Sequence, residues 1–211
     1  MKTYRFKGLL QNSGWLENAC IKVGADGNII DISSNSVSKE TVEINGYALP
    51  GFQNAHSHAF QYAMAGLNER HDLSKNPDDF WSWRNAMYQI ALSIDPQQME
   101  DIAAMLYAEM LRHGYTSVAE FHYLHHDKNG NAYGNLAEMG ERLVAAAQKT
   151  GIKITLIPIF YQKGGFGKAA EPHQRRFLSN GVNDYMKLFE ASEKACQHYE
   201  FANVAYGVHS L

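Results

Sequence analysis

Two kinds of hydrophobic pattern divide the chain near Leu49. Before it, apolar residues fall in short runs separated by turn residues: "TYRFKGLL", "ENACIKVG", "NIIDISS" and "EINGYALP". Runs of this length, rich in β-branched and aromatic residues, predict strands, and Ala25-Asp26-Gly27-Asn28 supplies hairpin chemistry between two of them. Residues 1–48 are therefore expected to form a small β module. After Pro50-Gly51 the pattern changes to apolar strands alternating with helical stretches, as a parallel sheet requires.

The clearest helix starts at Asp95. That residue suits an N-cap, Pro96 the first helical position and Gln98 the capping-box position. Met99, Ile102, Ala103, Leu106 and Met110 follow at helical spacing, and Gly114 stands where a left-handed residue closes a helix. A second helix is expected from Leu136 to Thr150, stopped by Gly151, and a third from Asn183 to Tyr199. The runs "YTSVAEFHY", "IKITLIPIF" and "NVAYGVHSL" read as strands, and with the one ending at His58 they make four. The segment from Ala59 to Ile94 has no clean period and reads as irregular. Four strands and three helices predict an α/β fold, half of a (β/α)8 barrel, over residues 49–211. The last strand reaches Leu211 without a following helix, although parallel strands are normally covered on both faces, so the chain is expected to stop short of the whole fold.

Composition narrows the function. At 211 residues, 45% hydrophobic and 19% charged, the chain can bury a sizeable core, and a net charge of −3 gives no basic footprint for nucleic acid. A small-molecule enzyme fits this balance. Cys20 and Cys196 lie far apart without a CxxC pair, which argues against a disulfide framework or zinc ribbon and suits a reducing, cytoplasmic setting. No apolar run approaches the roughly 18 residues of a membrane helix, and the N-terminal residues do not read as a signal peptide.

The candidate chemistry centres on "LPGFQNAHSHAF", where His56 and His58 sit two apart at a strand end. A strand has a period of two, so both imidazoles leave one face and aim at one point, which suits a shared metal. Alone, such a pair is as well explained by two hydrogen-bonded histidines near a turn. Its place at the carboxyl end of a barrel-type strand, where such enzymes keep their sites, favours the metal. Arg84 in "DDFWSWRNAMY" has two readings, stacking on Trp81 or Trp83 or pairing with Asp78 or Asp79, against recognition of a substrate carboxylate. Glu120, His122, His125 and His126 suggest a second metal cluster, yet parity puts Glu120 and His122 on the strand face opposite Tyr123. Tyr123 is expected inward and the histidines in packing or loop roles. His71, His113, His173 and His198 read as surface residues. Gly164, Gly165 and Gly167 lack the GxxxxGK[ST] spacing of a phosphate cradle and read as a flexible loop over a site mouth.

Taken together, "LPGFQNAHSHAFQYAMAGL", "FWSWRNAMYQIA", "GYTSVAEFHYLHHD", "QKGGFG", "QRRF" and "GVHSL" resemble the N-terminal part of the formimidoylglutamate deiminases, within the amidohydrolase superfamily. The resemblance implies the first half of a metal-dependent-hydrolase (β/α)8 TIM barrel preceded by a small β-sandwich module. It implies a divalent metal, usually zinc, on His56 and His58, and contacts from Gln61, Arg84, Tyr123 and His209 to N-formimidoyl-L-glutamate. The implied reaction is hydrolytic deimination to N-formyl-L-glutamate and ammonia in histidine degradation, without nucleic-acid or membrane partners. A homodimer of the full-length enzyme is an open alternative. In that family a further metal histidine, a proton-shuttling glutamate, another histidine and a metal-bound aspartate come from later strands, so the 211 residues by themselves are expected to be inactive. Two rival readings are an amidohydrolase acting on an aminated ring or guanidino compound, and a non-catalytic truncated fragment.

Overall fold

A computed structural model describes residues 1–35, 40–67 and 80–209, apart from the side chains of Phe80 and Trp81. The chain forms two compact units, Met1–Gly51 and Phe52–Leu211.

The first unit is built on β1 (Lys2–Gln11), β2 (Gly14–Glu17), β3 (Ala19–Val23), β4 (Ile29–Ser34) and β5 (Thr41–Ala48). They form one five-stranded sheet in which β1 pairs antiparallel with β2 and β3 and parallel with β5. Among the described residues there is no second sheet of a sandwich in this unit. Asn18, at φ +50°, separates β2 from β3 and donates its N–H to Lys7 O, so both short strands follow one edge of β1. The expected hairpin between β3 and β4 is present. Gly27 turns the chain at φ +82°, and the Asp26 carboxylate accepts the Asn28 N–H at 3.1 Å.

The second unit contains β6 (Phe52–Ser57), β7 (Tyr115–His122), β8 (Lys153–Tyr161), β9 (Ala202–Val204) and β10 (Gly207–His209). All the pairings are parallel and follow chain order: β6 beside β7, β7 beside β8, and β9 and β10 both beside β8. The single last strand expected from the sequence is thus interrupted at Ala205 and Tyr206. Its register survives the break, because Ala202 lies opposite Ile154 and Gly207 opposite Ile159, and Ala205 N donates to Leu156 O. At Gly207 a side chain would press into Ile157 and Ile159, so the strand needs glycine to approach β8 this closely.

The helices are α1 (Phe80–Ser93), α2 (Pro96–Arg112), α3 (Glu138–Thr150) and α4 (Val182–Cys196). The capping box at the start of α2 is complete: Asp95 accepts the Gln98 N–H at 2.8 Å, and the Gln98 side chain accepts the Asp95 N–H at 3.0 Å. Such a cap is worth about 1 kcal/mol. Gly151 ends α3 at φ +88°. The segment read as irregular instead holds a 3-10 turn, Ala59–Met64, and all of α1. Met87, Tyr88 and Ala91, all buried, mark the inward face of α1, a stripe of one and a half turns too short and mixed to stand out as a period.

Strand alternation on β7 decides what reaches the site. Val118, Glu120 and His122 are buried under the helices, and the alternate residues Phe121 and Tyr123 turn to the other face. Tyr107 of α2 meets Glu120 there, and Gly140 of α3 leaves room beside His122. Leu156, Met99, Leu143 and Ala147 fill the same core, where each large apolar side chain stabilises by roughly 1.5–3 kcal/mol.

Candidate active site

The carboxyl ends of four parallel strands face one cavity of about 400 Å³. His56 and His58 come from the end of β6, Phe121 and Tyr123 from β7, Tyr161 from β8 and His209 from β10. Arg84, Met87 and Tyr88 of α1 close one side, with Phe177 beneath them and Gly164 on the loop after β8. The volume suits a small metabolite. A second cavity of about 240 Å³, lined by His126, Leu178 and Lys187 among others, lies across the segment that contributes Phe177.

His56 and His58 converge as strand parity requires: their Nε2 atoms are 3.0 Å apart. The Nδ1 of His58 lies 2.9 Å from Phe121 O. A carbonyl only accepts, so Nδ1 carries the proton and the neutral ring presents the Nε2 lone pair to the cavity. Burial holds this imidazole below its ordinary pKa, with the bond to Phe121 opposing the shift. A ring proton given to a carbonyl, with the other nitrogen aimed at a shared point, is how metal-ligating histidines are usually oriented. Two nitrogens bound to one tetrahedral zinc lie about 3.3 Å apart, close to the spacing here. The pair fits two sites of a divalent metal. Among the described residues no third histidine, cysteine or carboxylate joins them.

Behind the pair stands Glu120, fully buried. One carboxylate oxygen accepts the Ala59 N–H at 2.6 Å, directly after His58, and the other accepts the Tyr107 hydroxyl at 3.1 Å. Burial raises its pKa, and the bonds from Ala59, Ser57 and Tyr107 pull it back. Glu120 thus braces the turn that carries His58 and does not enter the cavity. His122 and His125 pack edge to face behind the same strand; His125 Nε2 bonds Ile159 O at 3.1 Å and His126 Nε2 bonds Leu178 O at 2.7 Å. Among the described residues these histidines build no metal cluster.

The opposite wall is polar and combines helix residues with strand residues. Arg84 donates to Tyr88 Oη from Nε at 3.1 Å and from Nη2 at 3.0 Å, with Tyr88 four residues on along α1. The sequence offers Trp81, Trp83, Asp78 and Asp79 as partners and gives no sign of Tyr88; Asp78, Asp79 and the Trp81 side chain lie outside the described residues. Gln61 donates to Tyr123 Oη at 2.9 Å, and burial pushes the Tyr123 phenol pKa up, so it stays protonated. His209 stacks on Tyr161 with ring centroids 4.3 Å apart. Burial, then the neighbouring Arg84 charge, holds its pKa down.

His173, expected at the surface, is half-buried with its ring 3.9 Å from that of Tyr88, whereas His113 and His198 are exposed; His71 lies outside the described residues. Tyr161 and Gln174 belong to no sequence motif, although the position of Tyr161 at the carboxyl end of β8 is a readable signal. Arg176 is completely buried, yet among the described residues its guanidinium has no carboxylate partner: it donates to Ala91 O and Ile94 O at the end of α1 and to His126 O.

Formimidoylglutamate deiminase of Pseudomonas aeruginosa is 45% identical over 84% of this chain and 39% of its own length. A solved amidohydrolase from Brucella melitensis is 40% identical, with a TM-score of 0.91 over 98% of this chain and 45% of that one. An adenosine deaminase from Xanthomonas campestris, solved with bound zinc, shares the fold at 15% identity, with a TM-score of 0.67 over 98% of this chain and 42% of that chain. This chain therefore spans less than half the length of each. The amidohydrolase family pattern matches residues 47–198, and the chain belongs to the amidohydrolase family.

Proposed function

We propose that this chain supplies the metal-pair and carboxylate-binding half of a hydrolase that deiminates N-formimidoyl-L-glutamate to N-formyl-L-glutamate and ammonia, as a cytoplasmic step of histidine degradation. The observation that carries the reading is the placement of the two converging imidazoles and Arg84 in one cavity. The kinship to the Pseudomonas aeruginosa deiminase supports it. His56 and His58 would hold a divalent ion, zinc in the first instance. When bound, such an ion supplies Lewis acidity that makes water nucleophilic near neutral pH.

The remaining work belongs to side chains. His58 keeps its Nδ1 proton on Phe121 O, which fixes the ring. Arg84 meets a carboxylate of the glutamate moiety, since a charge entering a half-buried cavity needs a matched partner. Tyr123 accepts from Gln61 and has its own proton to give to the same moiety. His209, stacked on Tyr161, closes the floor. The aromatic lining from Phe121, Tyr161 and Phe177 favours a flat aminated ring as a second reading. Ammonia release by the zinc-loaded complete gene product separates the two. Turnover of N-formimidoyl-L-glutamate, and none of adenosine, guanine or triazine amines, is expected; the reverse selectivity overturns the proposal.

A further inference from the structure

We propose that Gln174 is a positioning residue for carboxylate recognition: its buried amide locks the tyrosine hydroxyl that holds Arg84. The inference rests on the reading of Arg84 given above. Gln174 is 0% exposed and lies at the end of a short turn, Pro172–Gln174, after β8. Its amide nitrogen donates to Tyr161 Oη at 2.9 Å and to Tyr88 Oη at 3.1 Å. Its carbonyl oxygen accepts the Glu171 N–H at 2.8 Å, which closes the capping box of its own turn. Both amide hydrogens and the oxygen are therefore committed, each to a different segment.

Tyr88 Oη is the meeting point. It accepts from Gln174 on one side and from two nitrogens of Arg84 on the other. An arginine side chain has several rotatable bonds, and ordering them only when the ligand arrives weakens binding. Here the guanidinium is ordered in advance against a hydroxyl, and that hydroxyl is itself ordered by a buried amide. Burial pushes the Tyr161 phenol up to about 12, so it remains protonated at neutral pH. Tight packing limits any shift of Gln174: a Cβ added at Gly164 would lie 2.9 Å from its Oε1 and 2.5 Å from Ala169 O. Glycine at 164 thus lets the loop close onto the amide. Gln174 itself does not line the cavity, so its effect on a ligand passes through Tyr88 and Arg84.

The test is a double-mutant cycle on the zinc-loaded complete gene product with N-formimidoyl-L-glutamate: wild type, Gln174→Met, Arg84→Gln and the double variant. Methionine keeps the volume and removes the donors. Gln174→Met is expected to raise KM about 10-fold with kcat changed by less than about 2-fold, and the KM effect should vanish in the Arg84→Gln background. A KM that Gln174→Met leaves unchanged, or an equal rise in both backgrounds, overturns the inference, the second result showing that the amide acts through loop packing. If Arg84→Gln itself leaves KM unchanged, the carboxylate reading fails and takes the inference with it. Should Gln174→Met not fold, Tyr88→Phe removes one oxygen from the same bridge and must show the same coupling to Arg84; additive effects overturn the inference.

Discussion

The two ends of the cavity are made differently. At one end, His56 and His58 come from a single strand end, two residues apart, and the adjacent strand braces them through Phe121 O and the Glu120 carboxylate. At the other, Arg84 and Tyr88 sit on a helix, Tyr161 on a strand and Gln174 in a loop, joined by side-chain hydrogen bonds across as many as 86 positions of sequence. The first end is set by backbone geometry and tolerates little change in it. The second is set by a network whose members can each be removed while the sheet stands.

His58→Ala should break the strand-borne end outright. In the complete gene product, bound zinc, measured by elemental analysis, should fall to background, and kcat/KM should drop about 1,000-fold or more. The helix-borne end fails first as a matter of stability: Arg176→Met leaves Ala91 O, Ile94 O and His126 O without their donor, and should cost about 3 kcal/mol in urea unfolding. Its zinc content, by contrast, should be normal in the protein that remains folded. Arg84→Gln sharpens the contrast further, because kcat/KM should fall about 10- to 100-fold with metal content and melting temperature unchanged. A lowered melting temperature with intact kinetics would instead make Arg84 a prop for Tyr88.

A further effect is graded with pH. His122 and His125 are buried and neutral; burial, with neighbouring positive groups, depresses both, His125 to about 3. Each therefore binds a proton more readily when unfolded, so its contribution is complete above the ordinary histidine pKa and is lost as pH falls below it. Stability should decline as pH falls below 6.5, by up to about 1.4 kcal/mol per unit toward pH 4 for His125, with His122 acting in the same direction. A urea midpoint flat over that range would mean that these rings are not held neutral.

The same division governs what the sequence discloses. His56, His58, Phe121 and Tyr123 follow a period of two, and Asp95-Pro96-Gln98 carry a complete helix start, so strand face and helix onset are readable without a structure. Arg84's position is readable only as one of several options, because its partner Tyr88 is specified by a helix that the mixed segment before Ile94 conceals. Gln174 has no periodicity at all. Its meaning depends on two tyrosines brought to it by the sheet and by α1, and nothing local marks a residue whose neighbours are distant. The interruption between β9 and β10 is likewise invisible, since its apolar run continues through Ala205 and Tyr206.

Arg176 also sets a schedule. The last carbonyls of α1 find their donor in a side chain 82 residues further along the chain. A 14-residue helix is marginal without tertiary partners. During synthesis at about 5–20 residues per second, α1 therefore waits about 4 to 16 s for the guanidinium that closes its end. Throughout that interval the segment carrying His56 has already been made, and the wall that would face it is not yet closed.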